Sequence, residues 1–151
     1  MTDADVHFMG QALGLAQAAE ANGEVPVGAI LVVDGEIVGR GSNASISLSD
    51  PTAHAEIQAL REAATHSNNY RLKGSTLYVT LEPCPMCAGA MVHARVERLV
   101  YACSDPRSGA AGSVFNLVQA DELNHRMSVT DGVLENESKN LLQTFFRARR
   151  K

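Results

Sequence analysis

The sequence offers little to suggest a covalently stapled scaffold, a membrane protein or a general polyanion binder. It has three cysteines in 151 residues, an odd number that builds no disulfide framework. No apolar run approaches the roughly 18 residues that would suggest a membrane span. The opening MTDADVHFMG is acidic and lacks the basic-then-apolar profile of a secretory leader. No repeat, linker or low-complexity segment divides the chain. A formal net charge of −4 excludes a surface that is basic throughout. What remains is a globular chain of ordinary composition, 45% apolar and 20% charged. It is long enough to bury a core without staples, and it is expected to form one domain, 1–151, in the cytoplasm.

Hydrophobic periodicity and turn signals order the chain. VHFMGQALGLAQAAEANG carries apolar residues at helical spacing and stops at Asn22-Gly23. VGAILVVDGEIVGRG is two β-rich runs around Asp34-Gly35, a hairpin signal. SNASISLSDPT reads as a loop, and AHAEIQALREAATHS as a helix with Ile57, Leu60 and Ala64 on one face. STLYVTL and ERLVYAC are predicted strands with PMCAGAMVHAR as the helix between them, a βαβ unit that requires parallel pairing. After the loop SDPRSGAAGS come a predicted short helix, VFNLVQ, a fifth strand, MSVTDGV, and a last helix, ESKNLLQTFFRARR. This order predicts a mixed sheet of about five strands with helices on both faces, a three-layer α/β/α sandwich.

Two of the cysteines, Cys84 and Cys87, fall in PCPMC at the mouth of a predicted helix. A helix N-terminus favours thiolate, so the pair is either a redox couple or half of a metal site. The second helix start decides for metal. His54 and Glu56 lie in TAHAEI, and both helices are expected beside the strand 75–81, which would set their starts side by side. His54, Cys84 and Cys87 then make three ligands of a tetrahedral zinc with its fourth position open to water, the pattern of a catalytic rather than a structural site. Glu56, two residues beyond the histidine, is placed to move a proton to and from that water without binding the metal. A metal-activated water and a carboxylate shuttle are the equipment of hydrolytic deamination. Cys103 ends a strand with no ligand at useful spacing and reads as a packing thiol.

HAE followed by PCPMC matches the H-x-E…P-C-x-x-C signature of zinc nucleobase deaminases. Beyond the signature, EVPVGAI, DPTAHAEI, YRL, TLYVTLEPCPMCAGAM, GAAGS, NHR and FFRARR stand in the order and approximate spacing of the bacterial tRNA-specific adenosine deaminases. The chain resembles that family, of the cytidine/deoxycytidylate deaminase superfamily, over nearly its whole length. The resemblance implies a cytidine-deaminase-like fold, one Zn2+ per chain, a homodimer, and conversion of adenosine to inosine at wobble position 34 of tRNA. Deamination of a free base or nucleoside is the same-class alternative. An inactive zinc-bearing subunit that only binds RNA is the other.

The resemblance also assigns roles. It implies that Asn43, locally a turn residue, holds the flipped nucleoside and that Gly28 and Ala29 line the base pocket. The backbone of Leu81, Glu82 and Pro83 would orient the target. Asp105, which could equally be the turn residue of Asp105-Pro106, would contact the RNA backbone, where a ribose 2′-OH can donate to a carboxylate. The tail bears Phe145, Phe146, Arg147, Arg149, Arg150 and Lys151. By itself it reads as a helix end whose cations complement the dipole; with the resemblance it reads as a patch for the anticodon stem and loop.

Overall fold

The computed structural model describes residues 1–149. Helix α1 (Asp3–Ala21) is followed by strands β1 (Gly28–Val33) and β2 (Glu36–Ser42), helix α2 (Ala55–Ser67), strand β3 (Ser75–Leu81), helix α3 (Pro85–Ala94), strands β4 (Arg98–Cys103) and β5 (Ser128–Thr130), and helix α4 (Glu135–Arg149). The sheet order is β2-β1-β3-β4-β5. β1 is antiparallel to β2 and β3, while β3, β4 and β5 run parallel. α1 and α4 cover one face and α2 and α3 the other, the expected three layers. As a result the start of β1 and the ends of β2, β3 and β4 share one edge of the sheet.

Alternation along the strands builds both cores. Ile30, Val32, Tyr78, Val100 and Ala102 meet Met9 and Ala12 of α1; Ala29, Leu31, Leu77, Val79 and Leu99 meet α2 and α3. α1 begins with a capping box between Thr2 and Asp5. Asp5 is itself buried, paired to Arg98 at 2.8 and 2.9 Å and accepting from Tyr78 Oη at 2.8 Å, which pins the helix start to β3 and β4. The hairpin turns at Asp34-Gly35, both at positive φ (51° and 78°), as its Asp-Gly signal requires.

Three local expectations need correction. α2 lies over β2 and β1 and only its margin reaches β3. The face it buries on the sheet is Ala55, Ala59 and Ala63, because Gly39 and Gly41 leave no Cβ between β2 and the helix backbone. Ile57, Leu60 and Ala64 do share a face, but it lines a groove toward α3. Finally, VFNLVQ is not a helix. Val114 and Phe115 N–H donate back to Gly109 O, Leu117 N–H to Ala110 O, and Ala111 bridges Asn116. Six residues are too few to nucleate a helix against such competing partners. The described residues therefore hold four helices, not five.

Candidate active site

Two helices start at the shared sheet edge, and each start is unusual. The N-cap of α2 is His54 and that of α3 is Cys84, both in extended conformation and neither making a side-chain capping bond. Their side chains are thus free for other work, and the orphan N–H groups find partners elsewhere: Asn43 Oδ1 accepts from Ala55 N at 2.8 Å. Pro85 occupies the first turn of α3, where no N–H is needed.

His54 Nδ1 lies 3.6 Å from Cys84 Sγ and 3.4 Å from Cys87 Sγ. Among the described residues these three form the one group of ligand atoms close enough to share an ion, all within 4.8 Å of one another. Tetrahedral zinc, with a Zn–N bond of about 2.0–2.1 Å and Zn–S of about 2.3 Å, holds its nitrogen and sulfur ligands about 3.6 Å apart. The set fits zinc in both donor type and spacing. The thiols are also unequal: Cys84 is held down to about 4, by a hydrogen bond with Cys87 first and by His54 next, while the Cys87 thiol is pushed up by sharing its proton with Cys84 and by burial. Cys103 takes no part. Its buried thiol donates to Thr80 O and meets Ser138 Oγ under α4, as a packing thiol should.

Glu56 sits two residues into α2, only 4% exposed. Burial pushes its carboxyl up to about 7, and the groups that oppose the shift are its own backbone N–H, His54 and the Cys87 thiol. No Lys or Arg among the described residues pairs with it.

The other residues singled out in the sequence gather at the same edge, with different partners than expected. Asn43 uses its carbonyl oxygen on the first N–H of α2, and none of the hydrogen bonds between described residues uses its Nδ2. Ala29 packs under α2 in the core. The side of Gly28 that lacks a Cβ is filled by the backbone of α1 at Ala12 and Ala16, and its N–H donates to Thr80 Oγ1 at 3.1 Å. Leu81 closes β3 beside Cys103. Pro83 O accepts from Ala110 N at 2.8 Å. Asp105 caps its own turn, accepting from Arg107 N at 2.9 Å and from Ser108 Oγ at 3.0 Å. In the tail Phe145 is buried, and Arg149 lies over its ring at 4.6 Å while donating to Gly23 O at 2.6 Å. Phe146 and Arg147 are exposed. Arg150 and Lys151 lie outside the described residues.

One participant at this edge is absent from the sequence reading. Glu24, 2% exposed, accepts from Ile46 N at 3.2 Å, Ser47 N at 2.7 Å and Ser47 Oγ at 2.6 Å, and so holds the loop between β2 and α2. No local signal marks it, since its donors lie more than twenty residues away.

Comparison with known proteins agrees with this chemistry. Residues 3–150 match the MafB19-like deaminase family. The tRNA-specific adenosine deaminase of Haemophilus influenzae is 56% identical over 97% of this chain and 85% of its own length. That of Bacillus subtilis is 47% identical over 97% and 91%. A structure solved in a study of A-to-I editing by tRNA:A34 deaminases at the wobble position superposes with a TM-score of 0.87 at 44% identity, covering 90% of this chain and 99% of that one. A guanine deaminase from Nitrosomonas europaea reaches a TM-score of 0.81 at 26% identity over 93% and 83%.

Proposed function

The chain belongs to the MafB19-like deaminases and, among them, to the tRNA-specific adenosine deaminases, and on that premise we propose that its site converts adenosine to inosine at position 34 of the tRNA anticodon. The observation that carries the chemistry is the buried Glu56 carboxylate beside a His54, Cys84, Cys87 ligand set of zinc spacing. The substrate follows from kinship: identity to the tRNA deaminases described above is 44–56%, against 26% for the guanine deaminase.

In this reading His54 Nδ1, Cys84 Sγ and Cys87 Sγ hold one Zn2+. When bound, that ion supplies the Lewis acidity that makes water a nucleophile near neutral pH. Glu56 moves the protons. Burial raises its carboxyl above the ordinary carboxylate range, the direction that suits a single residue serving as base and then acid. The net change adds water oxygen at C6 of adenine, breaks the C6–N6 bond and releases N6 as ammonia, with Glu56 carrying the proton from water to the amine. Asn43, whose carbonyl oxygen is fixed by α2, offers Nδ2 to the nucleoside. The start of β1 and the backbone of Leu81, Glu82 and Pro83 border the base, and Phe146 and Arg147 are the tail residues open to the anticodon stem and loop.

The enzyme works as a homodimer in this reading. A groove of about 340 Å³ between α2 and α3, with an apolar floor that includes Ile57, Leu60, Leu72 and Ala90 and with Arg61, Tyr70 and His93 also in its lining, is the face suited to a second copy. No helix among the described residues is long and apolar enough to cross a membrane, and the cytoplasm is the compartment that suits a tRNA substrate.

The test is direct. The zinc-loaded protein is incubated with an A34 anticodon stem-loop, its A34-to-C variant, free adenosine and free guanine. Inosine from the A34 stem-loop is the expected product. Deamination of guanine or adenosine with none of the stem-loop would replace this reading with that of a free-base or nucleoside deaminase.

A further inference from the structure

We propose that Glu82 is a positioning residue, whose side chain latches the loop 104–114 into place as the wall of the site that receives the RNA strand beside the target nucleotide. The inference rests on the tRNA reading above for its substrate, and on geometry for the latch. Glu82 is 2% exposed and has no cationic partner among the described residues. Its carboxylate instead accepts from Asp105 N at 3.0 Å, Ala111 N at 2.9 Å, Ser113 N at 3.1 Å and, in a short bond, Ser113 Oγ. Three backbone donors and a hydroxyl from nine residues of loop thus converge on one side chain.

The same carboxylate occupies the space where a Cβ on Gly109 would stand, so the loop is wrapped closely around it. Glu82 is rigid at its other end. Its N–H donates to Cys103 O at 2.9 Å, and Pro83 O accepts from Ala110 N at 2.8 Å. Two residues further on is Cys84. The latch therefore references the loop to the metal-binding helix, and with it Asp105 and the half-exposed Val114 and Phe115.

A loop held in this way contributes binding to the flanking nucleotides rather than to bond making. Glu82→Gln keeps the size of the side chain but turns an NH2 toward N–H donors. With the zinc-loaded variant, KM for the A34 stem-loop should rise about tenfold or more while kcat stays within about threefold. Hydrogen exchange, which needs no substrate, should show the Asp105, Ala111 and Ser113 amides opening at least about tenfold faster, with β3 and α3 unchanged. Unchanged exchange at those amides overturns the latch. A fall in kcat at constant KM, or loss of zinc, assigns Glu82 to the metal site and also overturns the proposal. Should Glu82→Gln not yield folded protein, Ser113→Ala removes a single donor, and a KM rise of about threefold with faster exchange at residue 113 is expected; no change in either overturns it. If the wild-type protein leaves the stem-loop untouched, the tRNA reading fails, and the exchange measurement still decides the latch.

Discussion

Glu56 and Glu82 are both buried at the same sheet edge, one two residues after His54 and the other two residues before Cys84 of the candidate metal set. Their surroundings are opposite. Glu82 is surrounded by donors from a loop, and Glu24 repeats that arrangement on the other side of the site. Asp5 is paired to Arg98, which with Tyr78 holds its carboxyl well below the usual carboxylate range. Glu56 has neither a loop nor an arginine, and burial pushes it up to about 7. Donors hold Asp5 and Glu24 below the ordinary carboxylate range, while Glu56, left without strong donors, is raised above it by burial. Burial is common to all four carboxylates; the partners set them apart.

The largest expected effect breaks this contrast at Glu56. Glu56→Gln should lower turnover by about 10²–10⁴-fold or more. Zinc content and tRNA binding should persist, because the carboxylate is not a ligand. Its unfolding temperature should equal or exceed that of the parent, since burial of the charged carboxylate costs stability. Turnover within a few-fold of the parent would remove Glu56 from the chemistry.

Asp5→Asn sharpens the comparison from the ion-paired side. It should cost about 1.5–3 kcal/mol in denaturant unfolding at neutral pH, the range for hydrogen bonds to a charged group. Asp5 has a folded pKa below its unfolded one, so its stabilisation is complete above about 3.9 and is lost as pH falls toward the folded value. The gap between parent and variant should therefore narrow below about pH 4. A gap that is constant with pH would show that the carboxylate charge contributes nothing.

Glu24→Ala tests the loop-holding carboxylates by stability alone. It strands Ile46 N, Ser47 N and the Ser47 hydroxyl, and about 1–3 kcal/mol should be lost. The smallest effect separates the two tail cations. Arg149 is engaged with Gly23 and Phe145, whereas Arg147 is exposed. In tRNA titrations across salt, Arg147→Ala should flatten the slope of log affinity against log salt by about 0.7–0.9. Arg149→Ala should leave the slope near that of the parent and lower the melting temperature instead. Coincident slopes for Arg147→Ala and the parent would reduce the tail to a helix end.

Features set by neighbours in the chain were legible in the sequence. The stop of α1 at Asn22-Gly23 and the Asp34-Gly35 hairpin follow from turn chemistry that closes within a few residues, and the βαβ unit and the sheet of five strands follow from the order and spacing of the apolar runs. The meeting of His54 with Cys84 and Cys87 was legible too, since the histidine and the PCPMC pair carry their own signature, and their atoms lie at a spacing compatible with zinc.

What only the tertiary structure decided concerns partners distant in sequence. Phe145 looked like a recognition aromatic and is core, because α4 turns that side onto the sheet. VFNLVQ has helical spacing and is a loop, because Gly109, Ala110 and the Glu82 carboxylate claim its backbone and that of the residues before it. Gly39 and Gly41 look permissive and are obligatory, because α2 rests on them. Glu24, Glu56 and Glu82 are alike as letters. Which of them holds a loop and which is left without loop donors depends on groups 22 to 31 residues away, brought near or kept away by the packing of the sheet edge.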